Sequence, residues 1–186
     1  MERSIKDRNI LDKICIKFCN IIDKHCKYIV VSGFVAISSG RARGTEDIDI
    51  IIERLSEKDF IKLHKDLVKN KFVCIQSDDA KEIYNEYLKN NTGVRYILKN
   101  YLLPEVELKF VKDILDEYQL NNRVKLKLTG LNVWFASVNS NIAFKEELLK
   151  SDKDLEDARH LRIVYSDVID EEEINKIKNL IRRFRL

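Results

Sequence analysis

The run Asp47-Ile-Asp-Ile-Ile-Ile52 sets two carboxylates into a string of isoleucines, and it restricts the fold more tightly than any other stretch. A β-branched run of this kind reads as a strand, here over Asp47 to Glu53, and it is too apolar for a sheet edge. Successive strand side chains point to opposite faces, so Asp47 and Asp49 share one face about 7 Å apart along the backbone. Both can then reach one ion or ion pair. Upstream, Tyr28-Ile-Val-Val31 reads as a second short buried strand, broken by Ser32-Gly33. Phe34 to Ser39 follows as about two helical turns that Gly40 stops. A strand ending on Ser-Gly and entering a helical turn presents backbone N–H groups and a hydroxyl where a triphosphate can dock. Gly33 lets the chain come close to phosphate, although an ordinary strand-to-helix turn uses the same residues.

The remaining chain surrounds this motif with alternating elements. Ile5, Leu11, Ile14, Phe18 and Ile22 recur at helical spacing and predict a first helix ending near Cys26. Ser56 caps a predicted helix to Asn70, with Phe60, Leu63 and Leu67 on one face. A strand over 72–76, a helix over 79–89 and a strand over 94–98 follow. Pro104 opens a strand over 105–111, with Val106, Leu108 and Phe110 on one face and Glu105, Glu107 and Lys109 on the other. Two further strands are predicted over 124–128 and 132–135, joined by a turn at Thr129-Gly130. Beyond Ser137 the pattern is helical near 140–150, 152–166 and 171–184. This order of strands and helices reads as α/β (α+β), with a core in 1–137 and a carboxy-terminal helical part in 138–186.

Composition limits the function classes. With 45% hydrophobic and 35% charged residues the chain is globular. The 34 basic and 31 acidic residues leave a net charge of +3, no global excess that argues by itself for nucleic acid. The longest apolar runs are strand-sized, so no membrane span is expected, and the amino terminus lacks a signal-peptide layout. Cys15, Cys19, Cys26 and Cys74 form no Cys-x-x-Cys pair. Cys15 and Cys19, four apart on a helix, read as small core residues in a reducing compartment, and the cytoplasm is the expected location.

Two divalent ions about 4 Å apart, held by shared carboxylates, activate an attacking hydroxyl and neutralise a departing pyrophosphate. Such a site takes a third acid from a neighbouring strand, and Glu107 is the candidate because it lies on the polar side of its strand. An Asp-x-Asp alone also occurs on ordinary solvated strands.

The stretch Val30-Val-Ser-Gly-Phe-Val-Ala-Ile-Ser-Ser-Gly-Arg-Ala-Arg-Gly-Thr-Glu-Asp-Ile-Asp-Ile50 resembles the signature of the DNA polymerase β-like nucleotidyltransferase superfamily. Its Arg43-x-Thr45-x-Asp47-x-Asp49 form is similar to the minimal nucleotidyltransferases related to abortive-infection toxins. Val106-Glu-Leu-Lys-Phe110 resembles the third-carboxylate strand, Ala143-Phe-Lys145 the lysine motif, and Lys153-Asp154-Leu-Glu-Asp157 the following helix motif. The matches span roughly residues 28 to 161 in the family's order. The turn is Ser-Gly where many relatives have Gly-Gly or Gly-Ser, and the third acid is Glu where Asp is commoner.

The resemblance implies a mixed β-sheet core flanked by helices, with the carboxy-terminal helical part closing the site, and an enzyme that moves a nucleoside monophosphate from NTP to a hydroxyl on RNA, protein or a small molecule. It implies catalytic and metal-binding roles for Asp47, Asp49 and Glu107, with two Mg²⁺ ions or Mn²⁺ in their place. It places Ser32, Gly33, Arg43, Thr45, Lys145, Lys153, Asp154 and Asp157 around the nucleotide, and its toxin branch implies a cognate antitoxin protein. The alternative from another class is a degenerate nucleotide- or RNA-binding module that pairs with a partner without catalysis. A metal-dependent phosphoesterase is a third reading. Arg41 joins Arg43 as a candidate phosphate clamp, and the three histidines lack a nucleophile partner.

Overall fold

The computed structural model describes residues 9–42 and 47–184. A five-stranded sheet is built from β1 (Tyr28–Val31), β2 (Asp47–Ile52), β3 (Phe72–Cys74), β4 (Val94–Leu98) and β5 (Glu105–Phe110), in spatial order β1-β2-β5-β4-β3. β2 and β5 are parallel and the other pairs antiparallel. The isoleucine run of β2 thus lies inside the sheet, as its composition demanded, and the mixed α/β class is as predicted.

Alternation gives the sheet two unlike faces. Ile48, Ile50, Ile52, Val106, Leu108 and Phe110 point into the main core. Helices α1 (Ile10–Ile22) and α3 (Glu57–Lys69) cover this face. Phe18 of α1 meets Phe72 edge-on at 4.9 Å between ring centroids, and Phe60 of α3 meets Phe110 at 6.3 Å. Each such side chain stabilises the fold by roughly 1.5–3 kcal/mol on burial. Local chemistry sets where the helices begin: Asn9 and Asp12 form a reciprocal capping box on α1, and the Ser56 hydroxyl accepts from Asp59 N on α3. Cys15 and Cys19 are fully buried with sulfurs 3.9 Å apart, in keeping with a core role.

The second face carries a smaller apolar cluster of Ile29, Ile51, Val111, Leu120 and Ala136. It packs beneath α5 (Ile114–Asn121), an element the sequence did not announce. The Asp113 carboxylate caps α5 by accepting from Leu115 N and Asp116 N, both at 3.0 Å. Its buried side holds Asp116 and Gln119 beside Leu115 and Leu120, so no continuous apolar stripe exists to be read.

α2 (Gly33–Ser38) follows β1. The predicted helix over 79–89 is a composite of α4 (Ala80–Glu82), a π turn (Ile83–Tyr87) and a 3₁₀ turn (Leu88–Asn90). Helices α6 (Val138–Phe144), α7 (Asp152–Val164) and α8 (Glu171–Phe184) complete the chain, and α6 runs into a second π turn, Lys145–Leu149. α6 packs on both α7 and α8, and α7 packs on α2.

Three expectations are corrected. The first helix ends at Ile22, where the Asp23 N–H bonds Cys19 O, and its predicted start at Ile5 lies outside the described residues. The segments 124–128 and 132–135 are not strands. Phe135 alone bridges Val30 and Val124, while Lys127–Thr129 coils as a 3₁₀ turn closed by Gly130 at φ 64°. Their alternation is real, but only Val124 and Phe135 meet a bridge partner, so no continuous ladder forms. Strand β3 also stops at Cys74 rather than at residue 76.

Candidate active site

Parallel pairing of β2 with β5 puts Asp47 opposite Glu105 and Asp49 opposite Glu107. Cross-strand partners share a face, so four carboxylates stand in a two-by-two grid on the side away from the main core. Sequence periodicity had identified three of them as acids of a site and missed the fourth, Glu105. Its signal was present in the Glu105, Glu107, Lys109 alternation.

Asp49 is half-buried, as are Glu105 and Glu107. Desolvation, reinforced by a hydrogen bond with the Glu107 carboxyl, pushes its pKa up to about 6, while Lys109 and the Ser32 hydroxyl pull the other way. Two carboxyls in contact cannot both ionise cheaply unless a cation joins them. Lys109 Nζ supplies part of that charge at 3.1 Å from Glu107 Oε2, and Arg95 Nη1 lies 3.5 Å from Glu105 Oε2. Gly93 makes room for this arrangement, since a Cβ there would sit 2.6 Å from Glu107 Oε1. Asp47 is exposed at the start of the strand.

This donor set is all oxygen and anionic, which fits Mg²⁺ or Mn²⁺ better than a soft metal. Among the described residues no three His, Cys, Asp or Glu side chains already converge around a metal position. Glu107 instead pairs with Lys109 and lies close against Gly93.

Ser32 adjoins the acids directly. β1 and β2 pair with Val31 opposite Asp49, so the residue after β1 arrives above that carboxyl, and the Ser32 hydroxyl bonds it. Ser32 has φ 66° and ψ −141°, a region that side chains other than glycine avoid at a cost of about 1–3 kcal/mol. A residue in such a conformation is held there by the surrounding structure. Gly33, buried, starts α2.

Lys145 approaches from the opposite wall. It is 1% exposed and opens the second π turn, with Nζ 2.8 Å from Asp157 Oδ2 and 3.1 Å from Asp154 Oδ1. The other oxygen of Asp157 bonds Arg41, which also bonds Glu156 and, at 3.1 Å, Lys153 O. Arg41 is therefore tied to α7 rather than turned to the acids. Asp154 and Asp157 hold Lys145, whereas Lys153 is exposed and contributes its carbonyl. Arg43 and Thr45 lie outside the described residues.

Ser32, Asp49, Lys109 and Lys145 line one cavity of about 200 Å³, and residues of α5 and α6 complete it. α5 contributes Asp116, whose carboxyl burial raises in pKa, and Gln119, neither of which the sequence suggested. The histidines stand elsewhere: His25 bonds Asp66 at 2.8 Å, His64 bonds the Tyr96 hydroxyl at 2.9 Å, and His160 bonds Ser39 O at 3.2 Å.

Solved structures match this chain over nearly its whole length. The antibiotic-resistance factor ANT(2″)-Ia in solution aligns with a TM-score of 0.55 over 94% of this chain and 92% of its own, at 12% identity. The fold is that of a nucleotidyltransferase. ANT(2″)-Ia in complex with adenylyl-2″-tobramycin aligns at 0.57 over 96% of this chain and 100% of its own, at 14% identity. An antigenic nucleotidyltransferase-like protein from Paracoccidioides brasiliensis aligns at 0.53 over 92% and 88%, at 19% identity. No protein-family model and no curated protein matches the sequence. Among the described residues no helix is long and apolar enough to cross a membrane.

Proposed function

We propose that this protein transfers a nucleoside monophosphate from an NTP to a hydroxyl of an acceptor and releases pyrophosphate. The observation that carries the reading is the Asp49–Glu107 carboxyl pair, set in register across two parallel strands beside Asp47, with Ser32 following the residue paired to Asp49. Asp47, Asp49 and Glu107 would hold Mg²⁺, which supplies charge to the triphosphate and lowers the pKa of a bound hydroxyl. Ser32 and Gly33 would receive phosphate oxygens through the hydroxyl and backbone N–H groups. Lys145, fixed by Asp154 and Asp157, would add a cation across the cavity. Glu107 would take the proton of the acceptor hydroxyl as the new phosphoester bond forms and the bond to pyrophosphate breaks. One structural neighbour was captured with an adenylylated small molecule, which supports transfer as a class and leaves the acceptor of this chain open to RNA, protein or a metabolite.

A toxin role with a cognate antitoxin belongs to the same reading and rests on the Arg43-x-Thr45-x-Asp47-x-Asp49 resemblance. A second reading has its own observation: Lys109 already pairs with Glu107, as suits a nucleotide-binding module that works without metal. One experiment separates them. The protein is incubated with each α-labelled NTP, Mg²⁺, and in turn total RNA, protein and small metabolites, with pyrophosphate measured. Label on an acceptor with stoichiometric pyrophosphate supports transfer; NTP binding without either supports the module; release of inorganic phosphate supports a phosphoesterase.

A further inference from the structure

The cavity beside Asp49 has features that the acids and Lys145 do not use. Val31 and Ile51 of the sheet form one side, and Phe144 and Leu148 of α6 and its π turn form another. Into this apolar space α5 brings Gln119, 4% exposed, whose carboxamide makes no hydrogen bond among the described residues. Asn141 lines the same space, and its Nδ2 hydrogens are spent on Ala136 O and Ser137 O, both at 3.0 Å, so Oδ1 is the atom it can offer. The Gln119 polar atoms are not sealed off but open to the cavity, so the carboxamide can offer an adjacent donor and acceptor to a ligand that enters the cavity.

The chemistry of the walls narrows the ligand. A polyhydroxylated or polycationic molecule would strand its polar groups against Val31, Ile51 and Leu148. An alkyl chain would suit those residues but leave Gln119 unpaired. A nucleobase has two apolar faces and a polar edge with adjacent donor and acceptor atoms, the pattern a carboxamide pairs with in two hydrogen bonds. A volume of about 200 Å³ accommodates one such ring system.

We infer that this cavity takes a nucleobase and that Gln119 reads its edge, with Asn141 Oδ1 as a further acceptor. The inference rests on the nucleotide-binding reading above and names two residues that would set base specificity. The base belongs either to the incoming NTP or to the terminal nucleotide of an RNA acceptor, and the edge chemistry is the same in both.

The test uses the full chain and two near-isosteric variants, Gln119→Met and Gln119→Glu, with folding checked by thermal melting. Calorimetry measures binding of each of the four NTPs and of tripolyphosphate with Mg²⁺. A second arm uses short single-stranded RNAs that differ only in the 3′-terminal base. The wild type is expected to rank the bases, with at least about a fivefold spread in one arm, the factor associated with one buried hydrogen bond. Gln119→Met should flatten that ranking and Gln119→Glu should alter it, while tripolyphosphate affinity is unchanged. A change confined to the NTP arm assigns the base to the donor, and one confined to the RNA arm assigns it to the acceptor. A wild-type ranking preserved in both variants and both arms, or no ranking at all, overturns the inference alone. Failure of the folded wild type to bind NTP, tripolyphosphate or RNA overturns the nucleotidyl-transfer reading with it.

Discussion

At Asp49, burial, a neighbouring carboxyl and a serine hydroxyl compete over one proton. Its folded pKa of about 6 exceeds the ordinary 3.8, so the native state holds the proton more tightly than the unfolded chain. The resulting stability is present below about pH 4 and is lost as pH rises towards 6. In metal-free protein, wild type should therefore lose up to about 3 kcal/mol relative to Asp49→Asn between pH 4 and 7.5. Urea denaturation in EDTA at several pH values measures it, and identical pH slopes for the two proteins would count against the carboxyl-pair account. With Mg²⁺ and NTP the same variant should fold yet lose at least about a hundredfold in transfer, since each 1.4 kcal/mol of lost charge stabilisation is about tenfold. A folded Asp49→Asn with full activity would remove the acid from the mechanism. Ser32 permits a second residue-scale test. Both Ser32→Gly and Ser32→Ala remove the hydroxyl, but only glycine relaxes at φ 66°. Ser32→Gly should be more stable than Ser32→Ala by about 1 kcal/mol or more, the reverse of the usual order, and equal denaturation midpoints would show that the backbone there is unstrained.

Three elements meet at the Arg41–Asp157–Lys145 chain: the segment after α2, the π turn and α7. Asp157 is fully buried, so it tolerates its charge only because cations flank it on both sides. Lys145→Met should leave that carboxylate half-compensated and cost about 3 kcal/mol or more, whereas Lys153→Ala, exposed one turn away, should cost under about 0.5 kcal/mol. Paired urea titrations decide this, and a Lys145→Met protein as stable as wild type would show that Asp157 is satisfied without Lys145. The comparison also bears on activity. Loss of transfer in Lys145→Met has to be read at temperatures where the variant is still folded, because this lysine is part of the framework as well as of the cavity wall.

For the molecule as a whole, the acids, the turn at Ser32 and the helices that carry Gln119 and Lys145 come together only in the native state. A ligand that spans them must stabilise folding by mass action. Mg²⁺ with a saturating NTP at a hundred times its dissociation constant should add about 2.7 kcal/mol, which for a domain of this size is a rise in Tm of roughly 5–10 °C. NTP in EDTA should give much less, because the acid grid then faces the triphosphate without a cation between them. Equal shifts in both conditions, read by calorimetry, would point to a metal-free anion site and favour the binding-module reading.

The strands β1, β2 and β5 and the shared face of Asp47, Asp49 and Glu107 were legible in the sequence because period-two alternation is a property of a few adjacent residues. The Ser32-Gly33 break was legible for the same reason, though not that serine rather than glycine takes the positive φ. Tertiary structure alone decided the rest. Whether 124–135 formed strands depended on the partners the fold offered, and Phe135 meets Val30 and Val124 only through isolated bridges. Helix α5 escaped notice because Asp116 and Gln119 occupy its buried side, and their polarity makes sense only once the cavity exists. Arg41 read, with Arg43, as a candidate phosphate clamp or a solvated loop residue because it lies in the segment between Gly40 and Asp47. Its actual partner, Asp157, is 116 residues away, and a buried charge is satisfied by whichever opposite charge the fold brings within bonding distance.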